Sequence, residues 1–353
     1  MLSMADLLVL RAIRGHSLVL NLDGKKLWRV PPAVSNLSLL TSLRLQNNRL
    51  AELSPELAVL SNLTVLNLGN NVFEEVPEAL KYLKSLEKLY MFGNKITKIS
   101  TNIFDGLQNL KILNLNNNKL TCIPSQIYRL TSLQHLSLNN NQLKCIPKEF
   151  GLMKNLFELH LTKNQLVDLP KEIGYMTNLC ILYLSRNQLS ELPEKLCKLK
   201  NLSILDVAGN QIQTFPTAIE NLPLREFYYE DNPLLIKKTF ASDYIEEVLS
   251  LREMAARYIF NYIKIGHHFL QKAIKKCPEA WNILSHKNVC TACGQEFITR
   301  WLECVKFMDM RKNMKTLRRY GDAHVIPVKV TLCSYNCYRQ KDEEYQYFAI
   351  AVI

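Results

Sequence analysis

The feature that most constrains this chain is an asparagine that keeps returning, at Asn48, Asn71, Asn94, Asn118, Asn141, Asn164, Asn187, Asn210 and Asn232, in steps of 22 to 24 residues. Around each stands L-x-L-x-x-N-x-L or a close variant. A fixed period of that length means stacked copies of one small unit, none of which can bury its apolar face alone. A degenerate unit precedes the series, with Leu20, Leu22 and Leu27 in place and Lys25 where the asparagine would stand.

The residue types follow from what stacking demands. Leu43–Leu45, Leu66–Leu68 and Leu136–Leu138 mark short strands that pair with the same strand of the next unit as one parallel sheet. The chain then turns sharply, and the asparagine side chain satisfies backbone groups that no neighbouring strand can reach. Prolines at 124, 147, 170 and 193 open the outer segment, where a missing N–H does no harm. The reading is an α/β solenoid, a leucine-rich repeat horseshoe of about ten units. Three parts are expected: the solenoid over 1–240, a helical cap segment over 241–281, and a cysteine module over 282–353.

Strand positions between the core leucines face outward on the concave side. Among them are Arg44, Tyr90, Phe92, His135, His160, Tyr183 and Tyr228. Large aromatics beside arginine and asparagine, placed where they add nothing to the solenoid core, are the composition of an interface. The expected occupant is a protein or peptide; ordinary surface is the plainer alternative. Cys122 and Cys145 fall at equivalent outer positions of adjacent units, about 5 Å apart at strand spacing. Equivalent positions carry charges, so both thiols should be solvated.

From Ala241 the pattern changes to ASDYIEEVLSLREMAARYIFNYI, without proline or ladder asparagine. Asp243 with Glu246 makes a capping box. Its apolar positions spread over an arc of about 220°, wider than one interface needs, which predicts burial on two sides: the last coil and something else. Ser250–Ile259 is similar to the BC box by which cullin-RING substrate receptors dock on Elongin C. Ser250, Leu251 and Ile259 match that pattern, and Ala255 stands where the family has cysteine. Cys277–Trp281 is loosely similar to a cullin box. A plain cap helix is the alternative.

Cys290 and Cys293 form CxxC, and Cys333 and Cys337 form CxxxC. Four thiolates, each pair clasping from one short turn, are the donor set of a structural zinc site. Gly294 permits the turn after the second ligand. The span between the pairs exceeds that of compact zinc ribbons, so it must fold as a small subdomain, with Phe297, Trp301, Phe307, Val328 and Val330 as its core. A thioredoxin-type CxxC would need a strand–helix context that is lacking. His286 or His324 could replace a cysteine, and Cys304 is spare. Buried, unliganded cysteines remain the alternative to zinc.

Ten cysteines without a disulfide-like spacing, and no apolar stretch long enough for a membrane span, point to a soluble, cytoplasmic protein with reduced thiols. The first residues are too short and too charged for a signal peptide. The net charge of +12 is densest in the tail, where residues 236–353 hold 19 Lys and Arg against 12 Asp and Glu. Arg311–Arg319 is a basic run, read as a solvated loop, with binding to nucleic acid or an anionic surface as the lesser reading. No GxxxxGK[ST], GxSxG or HExxH occurs, so a non-enzymatic scaffold is expected. NLGNN (67–71), DGLQNL (105–110), LREFYYEDNPL (224–234), and the tail stretches CTACGQEFITRWLECVKF and LCSYNC make the chain resemble the intracellular leucine-rich repeat family. Part of that family serves as ubiquitin-ligase substrate receptors, which is what the resemblance implies as a second role.

Overall fold

The computed structural model describes residues 3–235, 250–265, 268–298, 302–310, 325–334 and 337, with backbone only at 268, 269, 271 and 302–304. Two compact units result. One holds the described residues up to Ile212 with Asn221–Pro233; the other holds Gln213–Glu220 and the described residues from Leu234 onward.

The first unit is the solenoid. Ten three-residue strands, β1 (Val19–Asn21), β2 (Ser42–Arg44), β3 (Val65–Asn67), β4 (Lys88–Tyr90), β5 (Ile112–Asn114), β6 (His135–Ser137), β7 (Glu158–His160), β8 (Ile181–Tyr183), β9 (Ile204–Asp206) and β10 (Glu226–Tyr228), pair in sequence order as one parallel sheet. The register aligns the central leucines, Leu43 with Leu66, Leu89 with Leu113 and Leu159 with Leu182. These are fully buried, while the flanking strand positions are half-buried or exposed. Alternation at period two thus separates a leucine core from a polar and aromatic inner face.

Each ladder asparagine does what the turn requires. Asn164 donates from Nδ2 to the carbonyls of Leu138 in the preceding coil and Leu161 in its own, both at 3.0 Å. Its Oδ1 accepts the Leu143 N–H at 3.1 Å. The residue just before the asparagine is held at positive φ in coil after coil, between 52° and 58° at Asn47, Asn70, Asn117, Asn140, Lys163, Arg186 and Asp231. Asparagine and glycine tolerate that region best, which explains the N-N and G-N doublets of the sequence. The outer segments are short 3₁₀ turns, such as Ser125–Arg129 and Lys171–Tyr175, each capped by its proline.

The N-terminal stretch is a helix, α1 (Met4–Arg14), closed by a Ser3–Asp6 capping box. It buries Ala5, Val9 and Ala12, and it packs against the first 3₁₀ turn, Pro32–Asn36.

The second unit contains α2 (Leu251–Lys264), α3 (His268–Lys276), α4 (Pro278–Ser285) and two antiparallel hairpins. These are β11 (Asn288–Val289) with β12 (Glu296–Phe297), and β13 (Leu302–Asp309) with β14 (Val325–Leu332). Phe215 joins this unit through backbone bonds, its N–H donating to Pro327 at 2.9 Å and its carbonyl accepting from Lys329 at 2.8 Å. The Asp243–Glu246 capping box and the basic run Arg311–Arg319 lie outside the described residues, as do Trp301 and His324.

The two-sided burial expected of the helix is not found among the described residues. Only Glu253, Ala256 and Phe260 of α2 are buried. Leu251 is 81% exposed, Met254 and Tyr258 are exposed, and Ile259 is half-buried. The reason is the carboxylate: the helix turns Glu253 inward, which rotates the apolar arc away from the unit's interior. Ser250 is the N-cap, its hydroxyl accepting the Glu253 N–H at 3.2 Å.

Candidate interaction face and cysteine centre

On the concave face, coils six to eight carry a linked set of side chains. His135 Nδ1 lies 3.1 Å from Glu158 Oε2, and His160 Nε2 lies 3.3 Å from the same oxygen. The His160 ring meets Tyr183 edge-to-face at 4.9 Å between centroids. The His135–Glu158 and His160–Tyr183 contacts cross from one coil to the next, because parallel in-register strands set these residues side by side, while Glu158 and His160 share β7. Burial holds the His160 imidazole below its ordinary pKa, overriding the pull of Glu158 in the other direction. Tyr183 is raised, first by burial and then by the carboxylates of Glu226, Glu158 and Asp206.

Of the residues expected on this face, Tyr90, His135, His160, Tyr183 and Tyr228 are half-buried and Arg44 is exposed. Phe92 differs from the expectation that the aromatics gain nothing from the solenoid. Its ring sits over Gly69 of the preceding coil, where an added Cβ would come within 2.5 Å of the ring. Part of its role is therefore packing. Glu158 and Glu226 were not singled out by the sequence reading; both occupy the first position of a strand, two residues before an aromatic. Alternation by two from His160 and Tyr228 is the signal that would have found them. Cys122 and Cys145 are exposed free thiols, as their positions imply.

In the second unit, the Sγ atoms of Cys290, Cys293, Cys333 and Cys337 all lie within 4.8 Å of one another. Cys293 and Cys333 stand 3.5 Å apart, and Cys333 and Cys337 3.6 Å. These separations are far beyond an S–S bond of about 2.05 Å. They match the edge of a tetrahedron with Zn–S of about 2.3 Å, which is about 3.8 Å. The four cysteines can hold a metal ion. His286 takes no part: its Nδ1 lies 2.7 Å from the Asn282 carbonyl on α4.

Local structure builds both pairs. The first sits in the β11–β12 hairpin, where the Cys290 N–H donates to Gln295 and its carbonyl accepts from Gly294. Gly294 takes φ +72°, with no atom within 4 Å of where a Cβ would be; backbone conformation, not space, is what calls for glycine. The second pair follows β14, and the Cys337 N–H donates to Ser334 Oγ. Thr291 and Thr331 tie hairpin to strand, the Thr291 N–H donating to the Thr331 carbonyl at 2.9 Å. Phe297, Val330 and Leu332 pack with the buried Cys290, Cys333 and Cys337, while Cys293 stays exposed. Burial opposes ionisation of Cys290, yet the backbone N–H groups of Cys293, Cys333 and Ala292 bring its thiol down to about 7. Cys333 is pushed up, by burial first and then by the neighbouring sulfurs. Cys337 is raised by burial first, with Cys293 and Cys290 adding to it and Ser334 and Cys333 opposing it.

Helix α2 binds the two halves of this centre. Glu253, 1% exposed, accepts from Arg257 Nε at 2.7 Å and from the Ile298 N–H at 3.1 Å. Arg257 Nη2 in turn donates to the Cys333 carbonyl at 2.6 Å. The buried pair joins the end of the first hairpin to the second cysteine turn. Sequence alone gave no sign of it, since an E-x-x-x-R spacing reads as a solvent-side helix pair. Leu251, Ala255 and Ile259 lie off this buried face, the first two exposed.

Comparison with known proteins agrees with the repeat geometry. A family model described as Leucine rich repeat matches residues 38–96, 93–143 and 154–212. Leucine-rich repeat-containing protein 69 of Xenopus laevis is 63% identical over 96% of this chain and 97% of its own length. The protein of the same name from Homo sapiens is 55% identical over 96% and 97%. The chain belongs to the leucine-rich repeat-containing protein 69 family. Among solved structures, a TDR receptor is 28% identical with a TM-score of 0.53, over 64% of this chain and 45% of that one. The family likeness spans both units, whereas the repeat model ends at residue 212. Among the described residues, no helix is long and apolar enough to cross a membrane.

Proposed function

We propose that this protein is a non-enzymatic intracellular scaffold that holds a protein or peptide partner on the concave face of the repeats. The observation that carries the reading is the His135–Glu158–His160–Tyr183 set, in which polar and aromatic groups are fixed from coil to coil before any partner arrives. Side chains already ordered lose little rotamer freedom on binding, so their contacts convert into affinity. Replacement of Tyr90 or Tyr183 by alanine should weaken partner capture by about 1–2 kcal/mol with little loss of stability. Phe92→Ala should cost stability as well, because the ring covers Gly69. Capture unchanged in both tyrosine variants would remove the concave-face reading.

The cysteine centre belongs to the same proposal as a structural zinc site, held by Cys290, Cys293, Cys333 and Cys337. The closed four-sulfur set leaves no position for water, so the ion would staple the second unit rather than perform chemistry. Free thiols at the described cysteines fit a reducing compartment.

A second reading, a substrate receptor of an Elongin BC and cullin ligase, is favoured by one observation: Leu251 and Ala255 of the BC-box-like stretch are exposed. Purification of the full chain with Elongin B and C at equal stoichiometry, lost in Leu251→Asp, would support it; no association in wild type or Ala255→Cys would end it. Nucleic-acid binding through Arg311–Arg319 has no described residue to support it.

A further inference from the structure

The outward positions of the sheet are not uniform in charge. In the earlier coils they carry Arg44 and Lys88; from β7 onward they carry Glu158, Asp206, Glu226 and Glu230, with no lysine or arginine among them. Lys163 and Arg186 stand beyond the strand ends, at the positive-φ turn positions. Among the described residues no lysine or arginine forms an ion pair with Asp206, Glu226 or Glu230.

The register sets the arrangement of these groups. Tyr183 pairs with Asp206, and Asp206 with Tyr228. Two tyrosines therefore stand two strands apart, about 9–10 Å at ordinary strand spacing, with a carboxylate between them. A flat cation stacked between two rings needs about 7 Å, which is less than that strand separation. Asp206 uses one oxygen to accept the Ala208 N–H at 3.0 Å, which orients the carboxylate. The Tyr228 hydroxyl donates to Glu226. His160 buttresses Tyr183 from the side opposite Asp206, edge against face.

We propose that Tyr183, Asp206 and Tyr228 form a slot for an arginine or lysine side chain, and that the concave face therefore takes a basic segment of a partner protein over its last coils. This rests on the concave-face reading above and names the chemistry of its occupant. Aromatic rings attract the cation through their faces, and the carboxylate between them supplies the counter-charge. Glu226 and Glu230 extend the negative field along the face and speed the approach of a basic segment. Arginine suits the slot better than lysine, because its guanidinium stacks as well as donates.

The test uses the full chain and a fluorescent ten-residue peptide of alternating arginine and serine, with its glutamate–serine counterpart as control. Anisotropy should show the arginine peptide binding at least tenfold more tightly than the control. Asp206→Asn keeps the acceptor for Ala208, so the fold stays intact, yet arginine-peptide affinity should fall about tenfold. Tyr183→Phe should retain binding and Tyr183→Ala should lose it. Equal binding of the two peptides, or an Asp206→Asn protein that binds as wild type, overturns the proposal. So does tighter binding after the five basic residues of Arg311–Arg319 are changed to serine, since the occupant would then be this chain's own segment. A photo-crosslinker placed at Tyr90 separates the two levels. Partner capture there, with no arginine-peptide binding, sinks the slot and leaves the concave-face reading standing.

Discussion

Within each coil, adjacent residues face opposite demands, and Lys163 and Asn164 show it. Lys163 sits at φ 56°, a region that costs a β-carbon-bearing side chain energy and that asparagine tolerates better. Lys163→Asn should raise the melting temperature, by up to about 1 kcal/mol of stability. Asn164, by contrast, serves three buried backbone groups. Asn164→Ala leaves them without partners and should cost roughly 2–5 kcal/mol in chemical denaturation. His160 adds a pH dependence. Burial keeps its folded pKa below the ordinary 6.5, so the unfolded chain binds the proton first as pH falls. The stability of the neutral ring is complete above about pH 6.5 and declines as pH drops through that value toward the lower folded pKa. Thermal melts from pH 7.5 to 5.5 should show a smaller acid loss in His160→Gln than in wild type. An equal loss would place the responsible proton elsewhere.

Among elements, α2 is where the sequence pattern and the structure part. Its apolar residues cover too wide an arc to say which side faces inward, and the single charged residue that decides the matter looks from sequence like a surface group. With Glu253 buried and Leu251 81% exposed, the two variants should behave in opposite ways. Leu251→Asp should change stability by no more than about 0.5 kcal/mol, as for other surface substitutions. Glu253→Ala strands the Arg257 cation and the Ile298 N–H, and should destabilise the second unit by about 3–5 kcal/mol. Limited proteolysis of the C-terminal region reads both. A Leu251→Asp protein cut as readily as Glu253→Ala would show that the apolar arc, not the carboxylate, is the inner face. The strands posed no such ambiguity: leucine at period two, pinned by an asparagine, fixes both the buried face and the register.

For the molecule as a whole, two units imply two kinds of stability. The solenoid is a row of nearest-neighbour contacts, whereas the second unit depends on four sulfurs brought together from two turns. Folded, reduced protein should contain about one zinc ion per chain, and Cys293→Ser should lose it. Chelator should then open the second unit to protease while the repeat transition in a thermal scan stays in place. Metal analysis finding no zinc would leave four unliganded thiols, three of them buried, as the correct description. The period, the ladder and the paired cysteines were legible in one dimension because each is a local spacing repeated or doubled. The inner-face register followed from the same period, and with it Tyr183, Asp206 and Tyr228 in one row. What only the tertiary structure decided was long in range: that Phe92 rests on Gly69, that Glu158 gathers two histidines, and that a Glu253–Arg257 pair joins the cysteine turns. Sequence determines which residues can be neighbours along a strand or helix face. Desolvation in the folded chain decides which charges are worth burying, and against what.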